Sequence, residues 1–187
     1  MRGFKQTLKL LLVFTLLTML LVTGCSQGSQ TPGGSNGKTT VKILIAQPLT
    51  GASANDGTMS RDGALLALEQ MKSKPELANY DIQVISEDDK SDPKDATAIA
   101  NKWAGDKDLL AVVGNYNSSC TLAGASVFKE KGIPQIATGS SSPTITGHSP
   151  YLFRTQPTDA LVGKNIVEWA ESLGYKKAAI IYENSDY

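Results

Sequence analysis

The sequence is poor in the residues on which disulfide scaffolds, metal centres and nucleic-acid-binding domains depend. Its 187 residues include one histidine and two cysteines, and aromatic residues make up 6% of the chain. Two cysteines cannot build a disulfide framework, so stability must come from a packed core. Basic and acidic residues number 18 each, and this balance gives no indication of binding to nucleic acid or to an anionic membrane surface.

Long apolar runs are absent as well, apart from one near the N-terminus. Thirteen apolar or hydroxyl residues run from Leu10 to Val22, after the basic residues Arg2, Lys5 and Lys9. Because a membrane-spanning helix needs about 20 residues, this shorter segment predicts a secretory signal. We therefore expect an exported protein.

The apolar run ends in Val22-Thr23-Gly24-Cys25. This ending resembles a bacterial lipoprotein signal over residues 1–24, which implies cleavage after Gly24 and acyl chains such as palmitate on Cys25. The alternative is an ordinary signal that contains a cysteine. Two or three acyl chains hold a protein on a bilayer, so we expect a lipid-anchored protein on the extracytoplasmic face of the cell membrane. The mature chain would have 163 residues, 15 of them basic and 18 acidic.

The segment that follows the predicted anchor has the composition of a linker. Residues 25–40 are rich in Ser, Gly, Gln, Thr and Pro and contain no apolar run. Such segments lack the apolar surface needed for a core, so we expect a flexible, lipid-anchored spacer.

Strand and helix patterns alternate regularly beyond the linker. Apolar stretches bounded by turn residues predict strands at residues 41–46, 82–86, 109–113, 134–137, 151–154 and 177–182. Apolar residues at helical spacing predict helices between most of them, and three helices have start signals at Asp92-Pro93, Asn117-Ser118 and Thr158. The pattern predicts the α/β class, as a doubly wound parallel sheet with helices over both faces.

Ligands of such sheets bind beyond the carboxyl ends of the strands, here at residues 47–57, 88–92, 114–120 and 138–149. Two hydroxyl-rich stretches lie there: residues 115–121, the first hydroxyl loop, and residues 138–144, the second hydroxyl loop. The first opens a helix, whose N–H groups and dipole suit a small carboxylate. The alternatives are that Ser118 or Ser119 merely caps the helix and that the second loop is merely polar. Together the loops could hold both ends of a small polar ligand.

Other chemistry has weaker support. Asp88, Asp89 and Asp92 cluster at a strand end, but lysines interleave and no cation-binding spacing appears, so we expect no metal. A serine hydrolase would need Ser118 as nucleophile and His148 as base, but the sequence contains no Gly-x-Ser-x-Gly elbow. Cys120, near a helix start, would have either a lowered pKa or the role of a small buried apolar residue. We expect neither catalysis nor a cofactor.

A series of short segments carries a family resemblance. They are Val41 to Gly51, Asp62-Gly63-Ala64, Asp88 to Pro93, Val113-Gly114, Ser118-Ser119 with Thr121, Gly132-Ile133-Pro134, Phe153-Arg154-Thr155 and Ala179 to Tyr187. In order and spacing they resemble the solute-binding proteins of ABC importers, in the branched-chain amino-acid (Leu/Ile/Val-binding-protein-like) branch with the periplasmic binding protein type I fold. The resemblance covers residues 41–187.

This resemblance implies two α/β lobes that close on a solute by a hinge motion and present it to a membrane permease. Ser118 and Ser141 would hold a ligand carboxylate, and the Gly139 carbonyl with the Ser141 hydroxyl would take an ammonium group. Ser140 and Asn117 would line the rim. Asp56 stands where related binders often present an aromatic side chain, so a polar contact or a different ligand is implied there.

The resemblance also divides the chain. Residues 41–155 would form the first ligand-binding lobe, and residues 156–187 would form the first helix and strand of a truncated second lobe. We expect a fragment or a prematurely ended reading frame with partly exposed apolar surface, and a monomer at full length. A ligand-sensing lipoprotein of the same fold, signalling to a membrane receptor, is the alternative to a transport component.

Overall fold

A five-stranded parallel sheet organises residues 37–182, the part of the chain that the computed structural model describes. The strands are β1 (Thr39–Gln47), β2 (Tyr80–Asp88), β3 (Leu109–Gly114), β4 (Gln135–Ala137) and β5 (Leu152–Arg154). Their order across the sheet is β2-β1-β3-β4-β5, and every neighbouring pair is parallel. The predicted α/β class and parallel sheet are confirmed.

Four helices connect or follow the strands: α1 (Ala54–Met71), α2 (Pro93–Trp103), α3 (Ser118–Glu130) and α4 (Asp159–Ser172). Short 3-10 turns lie at Pro75–Leu77 and Pro143–Ile145. The predicted start of α2 is confirmed, because the Asp92 side chain accepts a hydrogen bond from the Lys94 N–H and Pro93 is the first helical residue. α3 ends before Gly132, whose φ of +67° is a conformation that favours glycine.

One face of the sheet carries the apolar core. The core joins apolar residues of β1, β3, α2 and α3 with Ile133, which precedes β4; the buried members include Leu44, Val112, Ile99 and Phe128. Phe128 is 2% exposed and Leu44 is fully buried. On α2, the apolar residues Ala96, Ile99 and Ala100 are buried.

The opposite face is covered unevenly. Right-handed crossovers place α1, which connects β1 to β2, on the other side of the sheet from α2 and α3. No helix connects β4 to β5. Val113, Ile136 and Phe153 lie side by side on β3, β4 and β5, and Ile136 and Phe153 are 40% and 55% exposed. The expectation of helices over both faces is therefore met only in part.

The segment beyond β5 agrees with expectation in part. It has the exposed apolar surface that was expected, as Ile166 at 57% and Trp169 at 66% on α4 illustrate. The strand predicted at residues 177–182 is wrong, because these residues have no regular structure. A strand forms only against a partner, and none of the five strands of the described region pairs with this segment, so Ile181 is 99% exposed.

Candidate functional site

The two hydroxyl loops meet at the carboxyl ends of β3 and β4. The Thr138 N–H donates to the Asn115 carbonyl across 3.2 Å. The hydroxyls of Thr121 and Ser140 lie 2.7 Å apart, and the Ser140 hydroxyl also lies 3.0 Å from the Tyr116 carbonyl. The predicted proximity of the two loops is confirmed, and their facing surfaces are held together by hydrogen bonds.

Ser118, the first residue of α3, faces the second loop. Its side chain is fully buried, and its oxygen accepts the Ser142 N–H at 3.3 Å. Within residues 37–182 no acceptor is found for the hydrogen of the Ser118 hydroxyl. Ser118 does not cap the helix; the N-cap residue is Asn117.

The N-terminus of α3 has no side-chain cap. The Asn117 side chain makes no capping hydrogen bond, and its Oδ1 is buried without a partner among the described residues. The first-turn N–H groups of a helix need an acceptor from a side chain, water or a ligand. Together with the helix dipole, they make this position favourable for an anion.

Ser141 is linked to the start of α4. Its hydroxyl donates to Oδ2 of Asp159 at 3.0 Å, while the Asp159 N–H donates to the Ser141 carbonyl at 2.9 Å. These reciprocal bonds join the second hydroxyl loop to α4. The sequence analysis missed Asp159, because the two residues are 18 positions apart and nothing local to Asp159 indicates the contact.

Gly139 lies directly under an aromatic ring. A Cβ atom at this position would overlap the ring of Tyr116, so only glycine allows the two loops to approach this closely. The Gly139 carbonyl accepts no hydrogen bond from residues 37–182. Tyr116, which the sequence analysis did not single out, is therefore a structural neighbour of the expected ammonium acceptor.

The three remaining expected ligand residues differ in burial. The Ser140 side chain, expected at the rim, is fully buried, and its hydroxyl is engaged with Thr121 and backbone carbonyls. Asp56 is exposed in the first turn of α1, and in the described region no hydrogen bond or ion pair joins it to either hydroxyl loop. Asn117 is partly exposed at the edge of the first loop.

Gln47, at the end of β1, contacts the second hydroxyl loop. Its side chain is fully buried, and its amide nitrogen donates to the Thr138 hydroxyl at 3.0 Å. This bond spans 91 residues of sequence and fixes the second hydroxyl loop against the end of β1. Sequence reasoning missed it, since a glutamine at a strand end has no distinctive pattern.

Asp88 holds the loop after β1. One carboxylate oxygen accepts the N–H groups of Leu49 at 2.8 Å and Lys90 at 2.9 Å, and the other accepts the Thr50 hydroxyl at 2.6 Å. Burial acts to raise the pKa of Asp88, but these hydrogen bonds outweigh it and lower the pKa below its usual value. Residues 37–182 contain no group of three potential ligands arranged for a metal ion.

Asp89 differs from its neighbour in both burial and pKa. Its side chain is fully buried, and it accepts hydrogen bonds from the Asn115 side chain at 2.6 Å and the Ser91 N–H at 2.9 Å. Burial raises the pKa of Asp89 above its usual value, although the bond from Asn115 opposes the shift. It connects the end of β2 to the first hydroxyl loop.

The residues considered for catalysis are not assembled. Nε2 of His148 lies 3.4 Å from the hydroxyl of Ser126, an exposed residue later in α3, and not beside Ser118. Burial, with a smaller contribution from the Asp89 charge, raises the pKa of the Cys120 thiol to about 12. Cys120 therefore behaves as a small buried residue, and its nearness to the helix start does not activate it.

Some features lie outside this region. A surface depression of about 550 Å³ is lined by residues of α4 and the following segment, among them Ile166, Val167 and Tyr175. It contains no residue of either hydroxyl loop. None of the helices between residues 37 and 182 has the length and apolar character needed to cross a bilayer. The predicted signal at 1–24 and the predicted lipid site at Cys25 lie outside the described residues.

Comparison with known proteins gives consistent matches. Residues 40–187 match the family described as periplasmic binding protein. The leucine-, isoleucine-, valine-, threonine- and alanine-binding protein of Pseudomonas aeruginosa is 33% identical over 150 residues, which cover 79% of this chain and 40% of that protein. The chain thus spans about 40% of the length of the curated relatives it matches.

Two solved structures agree with this match. A branched-chain amino acid transporter substrate-binding protein of Streptococcus pneumoniae, in complex with isoleucine, has a TM-score of 0.66 and 26% identity over 71% of this chain and 38% of that one. An ABC-transporter solute-binding protein of Rhodopseudomonas palustris, in complex with 3,4-dihydroxybenzoic acid, has the same TM-score and identity over 72% of this chain and 37% of that one.

Proposed function

Because this chain belongs to the periplasmic binding protein family, we propose that it is an extracytoplasmic, lipid-anchored solute-binding protein. It delivers a branched-chain amino acid or a similar small polar solute to the permease of an ABC importer, and it binds the solute without transforming it. The family resemblance inferred from the sequence is confirmed, and relatives named for amino-acid binding support the solute-binding role.

One observation carries the proposal: two hydroxyl loops from neighbouring strands meet at an uncapped helix N-terminus. The first-turn N–H groups of α3 and the Ser118 hydroxyl lie at the same helix start, where we expect them to donate to one small acceptor. Donors of this kind bind a carboxylate more strongly than a neutral acceptor, because hydrogen bonds to charged groups contribute about 1.5 to 3 kcal/mol each.

The ligands named for the solved relatives fit a carboxylate site. Isoleucine and 3,4-dihydroxybenzoic acid differ in shape, and both carry a carboxylate. We assign that group to the α3 N-terminus and Ser118. As the family resemblance implies, we assign a ligand ammonium to the Gly139 carbonyl and the Ser141 hydroxyl, which also donates to Asp159. Asn117 and Asp56 are assigned to the edge of the site.

The burial of Ser118 adds a condition. Its oxygen now accepts the Ser142 N–H and its side chain is fully buried. A solute therefore contacts Ser118 only when the second hydroxyl loop moves away from α3.

Removal of the Ser118 hydroxyl tests the carboxylate site. We expect Ser118→Ala to weaken isoleucine binding by about 1.5 to 3 kcal/mol, or about 10- to 150-fold in Kd, because a donor to a charged group is lost. Ligand-detected NMR titration measures the Kd even in the millimolar range. The Kd values of isoleucine and of the amine that lacks its carboxylate should differ for the wild type and become similar for Ser118→Ala.

Ser126→Ala is the matched control. Ser126 lies in the same helix, and its exposed hydroxyl donates to the Leu122 carbonyl within the helix. An unchanged Kd in this variant and a weakened one in Ser118→Ala support the assignment. Equal Kd values for wild type and Ser118→Ala would overturn it.

The lipid anchor has a separate test. If Cys25 carries acyl chains, cells given labelled palmitate should incorporate the label into the wild-type protein and not into Cys25→Ser. The variant should also leave the membrane fraction, because anchoring depends on those chains. Label retained by Cys25→Ser would contradict the anchor without affecting the solute site.

A further inference from the structure

A chain of hydrogen bonds leads from the buried carboxyl group of Asp89 to the proposed site. Asp89 itself contacts neither the Ser118 nor the Ser141 hydroxyl. Asp89 is fully buried and accepts from two donors, the Asn115 amide at 2.6 Å and the Ser91 N–H at 2.9 Å. It has no ion-pair partner within residues 37–182, and the charges that act on it, Asp88 and Asp95, are negative. A carboxylate buried in this way needs its hydrogen bonds.

Asn115 continues the chain and is also buried, at 2% exposure. Its Oδ1 accepts from Nε2 of Gln135 at 3.1 Å, and the same nitrogen donates to the Gly114 carbonyl at 2.9 Å. Oδ1 also lies 3.4 Å from where a Cβ of Gly124 would stand, so the side chain is tightly enclosed. The three side chains Asp89, Asn115 and Gln135 form what we name the amide chain.

The backbone of Asn115 connects the amide chain to both hydroxyl loops. Its carbonyl accepts the Thr138 N–H at 3.2 Å, and the Thr121 and Ser140 hydroxyls lie 3.2 Å and 3.3 Å from it. A shift of the Asn115 backbone would therefore disturb the contacts that hold the two loops together.

The acceptor role of Asp89 gives the amide chain one direction. Each of its carboxyl oxygens accepts from an N–H donor, Oδ2 from the Asn115 side chain and Oδ1 from Ser91, so the NH₂ group of Asn115 faces Asp89. The Asn115 oxygen then faces Gln135, which must present its own NH₂ group. Its Oε1 is buried without a partner in the described part of the chain.

We propose that Asp89 is a positioning residue for the solute site, acting through the orientation of the Asn115 and Gln135 amides on the spacing of the two hydroxyl loops. The expected effect of Asp89 on solute affinity rests on the proposed function. Its expected effect on the geometry of the loops does not, because every contact in the amide chain lies within the protein.

The test exchanges an acceptor for a donor without changing volume. In Asp89→Asn, a single side-chain oxygen remains to accept from the two donors, the Asn115 side chain and the Ser91 N–H. The side-chain amides of Asn115 and Gln135 must then rotate, and the bond from Gln135 to the Gly114 carbonyl is lost. We expect shifted side-chain NH₂ signals of Asn115 and Gln135 in NMR spectra, faster hydrogen exchange at the Thr138 N–H, and a Kd for isoleucine raised about tenfold. A role in packing alone predicts no change, because the two side chains have the same shape.

The double variant Asp89→Asn with Asn115→Asp supplies the rescue. The introduced amide at position 89 donates to the introduced carboxylate at position 115, whose second oxygen accepts from Gln135. All hydrogen bonds of the amide chain are then restored at unchanged net charge. We expect the loop signals, the Thr138 exchange rate and the Kd to return toward wild-type values.

The outcomes separate the two claims. Unchanged loop signals and exchange in Asp89→Asn, or a double variant that fails to recover them, overturn the positioning role. If Asp89→Asn does not fold, a folded double variant supports the role and an unfolded one contradicts it. If the wild type binds no isoleucine while signals and exchange behave as expected, the proposed function fails and the positioning of the loops stands.

Discussion

The turn before α2 and the turn before α3 hold equivalent places in the fold, and they use their polar side chains in opposite ways. Each follows a parallel strand and opens a helix on the same face of the sheet. In residues 88–93, Asp88 accepts N–H and O–H donors from two loops and Asp92 caps the helix. In the first hydroxyl loop, the N-cap residue Asn117 makes no side-chain capping bond, and the Ser118 hydroxyl hydrogen has no acceptor in the described region.

This difference shows how similar residue types divide between structure and binding. Where the donors of the chain fill the acceptors at a strand end, the side chains stabilise the fold. Where a helix start keeps free donors, they remain available to a solute. Asp89 belongs to both turns, because it follows β2 and accepts from Asn115 of the first hydroxyl loop.

The largest expected effect on stability belongs to Asp88. Asp88→Ala removes the acceptor for Leu49, Thr50 and Lys90, and we expect the free energy of unfolding to fall by about 2 kcal/mol, with the partial exposure of the site limiting the loss. Urea unfolding followed by circular dichroism measures the change. An unchanged unfolding midpoint would contradict the stabilising role of Asp88 in the turn before α2.

The two N-cap residues give a matched pair with a smaller effect. Asp92→Ala should cost about 1 kcal/mol of stability, because the bond to the Lys94 N–H is lost, and should leave isoleucine binding unchanged. Asn117→Ala should cost only a few tenths of a kcal/mol, since its side chain makes no capping bond. Equal losses of stability in the two variants would show that the helix starts are alike.

The smallest effect is the pH dependence of stability, because Asp88 and Asp89 act in opposite directions. The lowered pKa of Asp88 gives stability that is present above its unfolded-state pKa and is lost as the pH falls through the folded-state pKa. The raised pKa of Asp89 gives stability that is full below its unfolded-state pKa and is lost as the pH rises through the folded-state pKa.

Single variants separate the two contributions. Between about pH 3 and pH 7, the unfolding free energy of Asp88→Asn should fall less on acidification than that of the wild type. That of Asp89→Asn should fall more, since the compensating group is gone. Urea unfolding at several pH values gives both slopes, and parallel curves for the three proteins would contradict the assigned shifts.

The two turns also differ in how far sequence could predict them. Asp92-Pro93 is a local signal, and it predicted the start of α2 correctly. The strands of the sheet were predictable for the same reason, since apolar periodicity acts over a few residues. The strand expected at residues 177–182 did not form, because pairing needs a neighbour that no local pattern reveals.

The candidate site was predictable at the level of loops and not of contacts. Hydroxyl residues after two neighbouring strands correctly indicated that the loops meet. The bonds of Asn115 to Asp89 and Gln135 join residues 26 and 20 positions apart, and the buried hydroxyls of Thr121 and Ser140 meet across 19 positions. Such polar networks depend on the folded backbone, so only the structure shows which side chains take part.

The most direct test of the account is a titration of the ¹⁵N-labelled chain with isoleucine, followed by amide chemical shifts. We expect the largest changes at residues 117–119 and 139–142, with residues 88–93 nearly unaffected apart from Asp89, and a much smaller response to the amine that lacks the carboxylate. Changes confined to other parts of the chain, or equal responses to the two compounds, would contradict a carboxylate site between the hydroxyl loops.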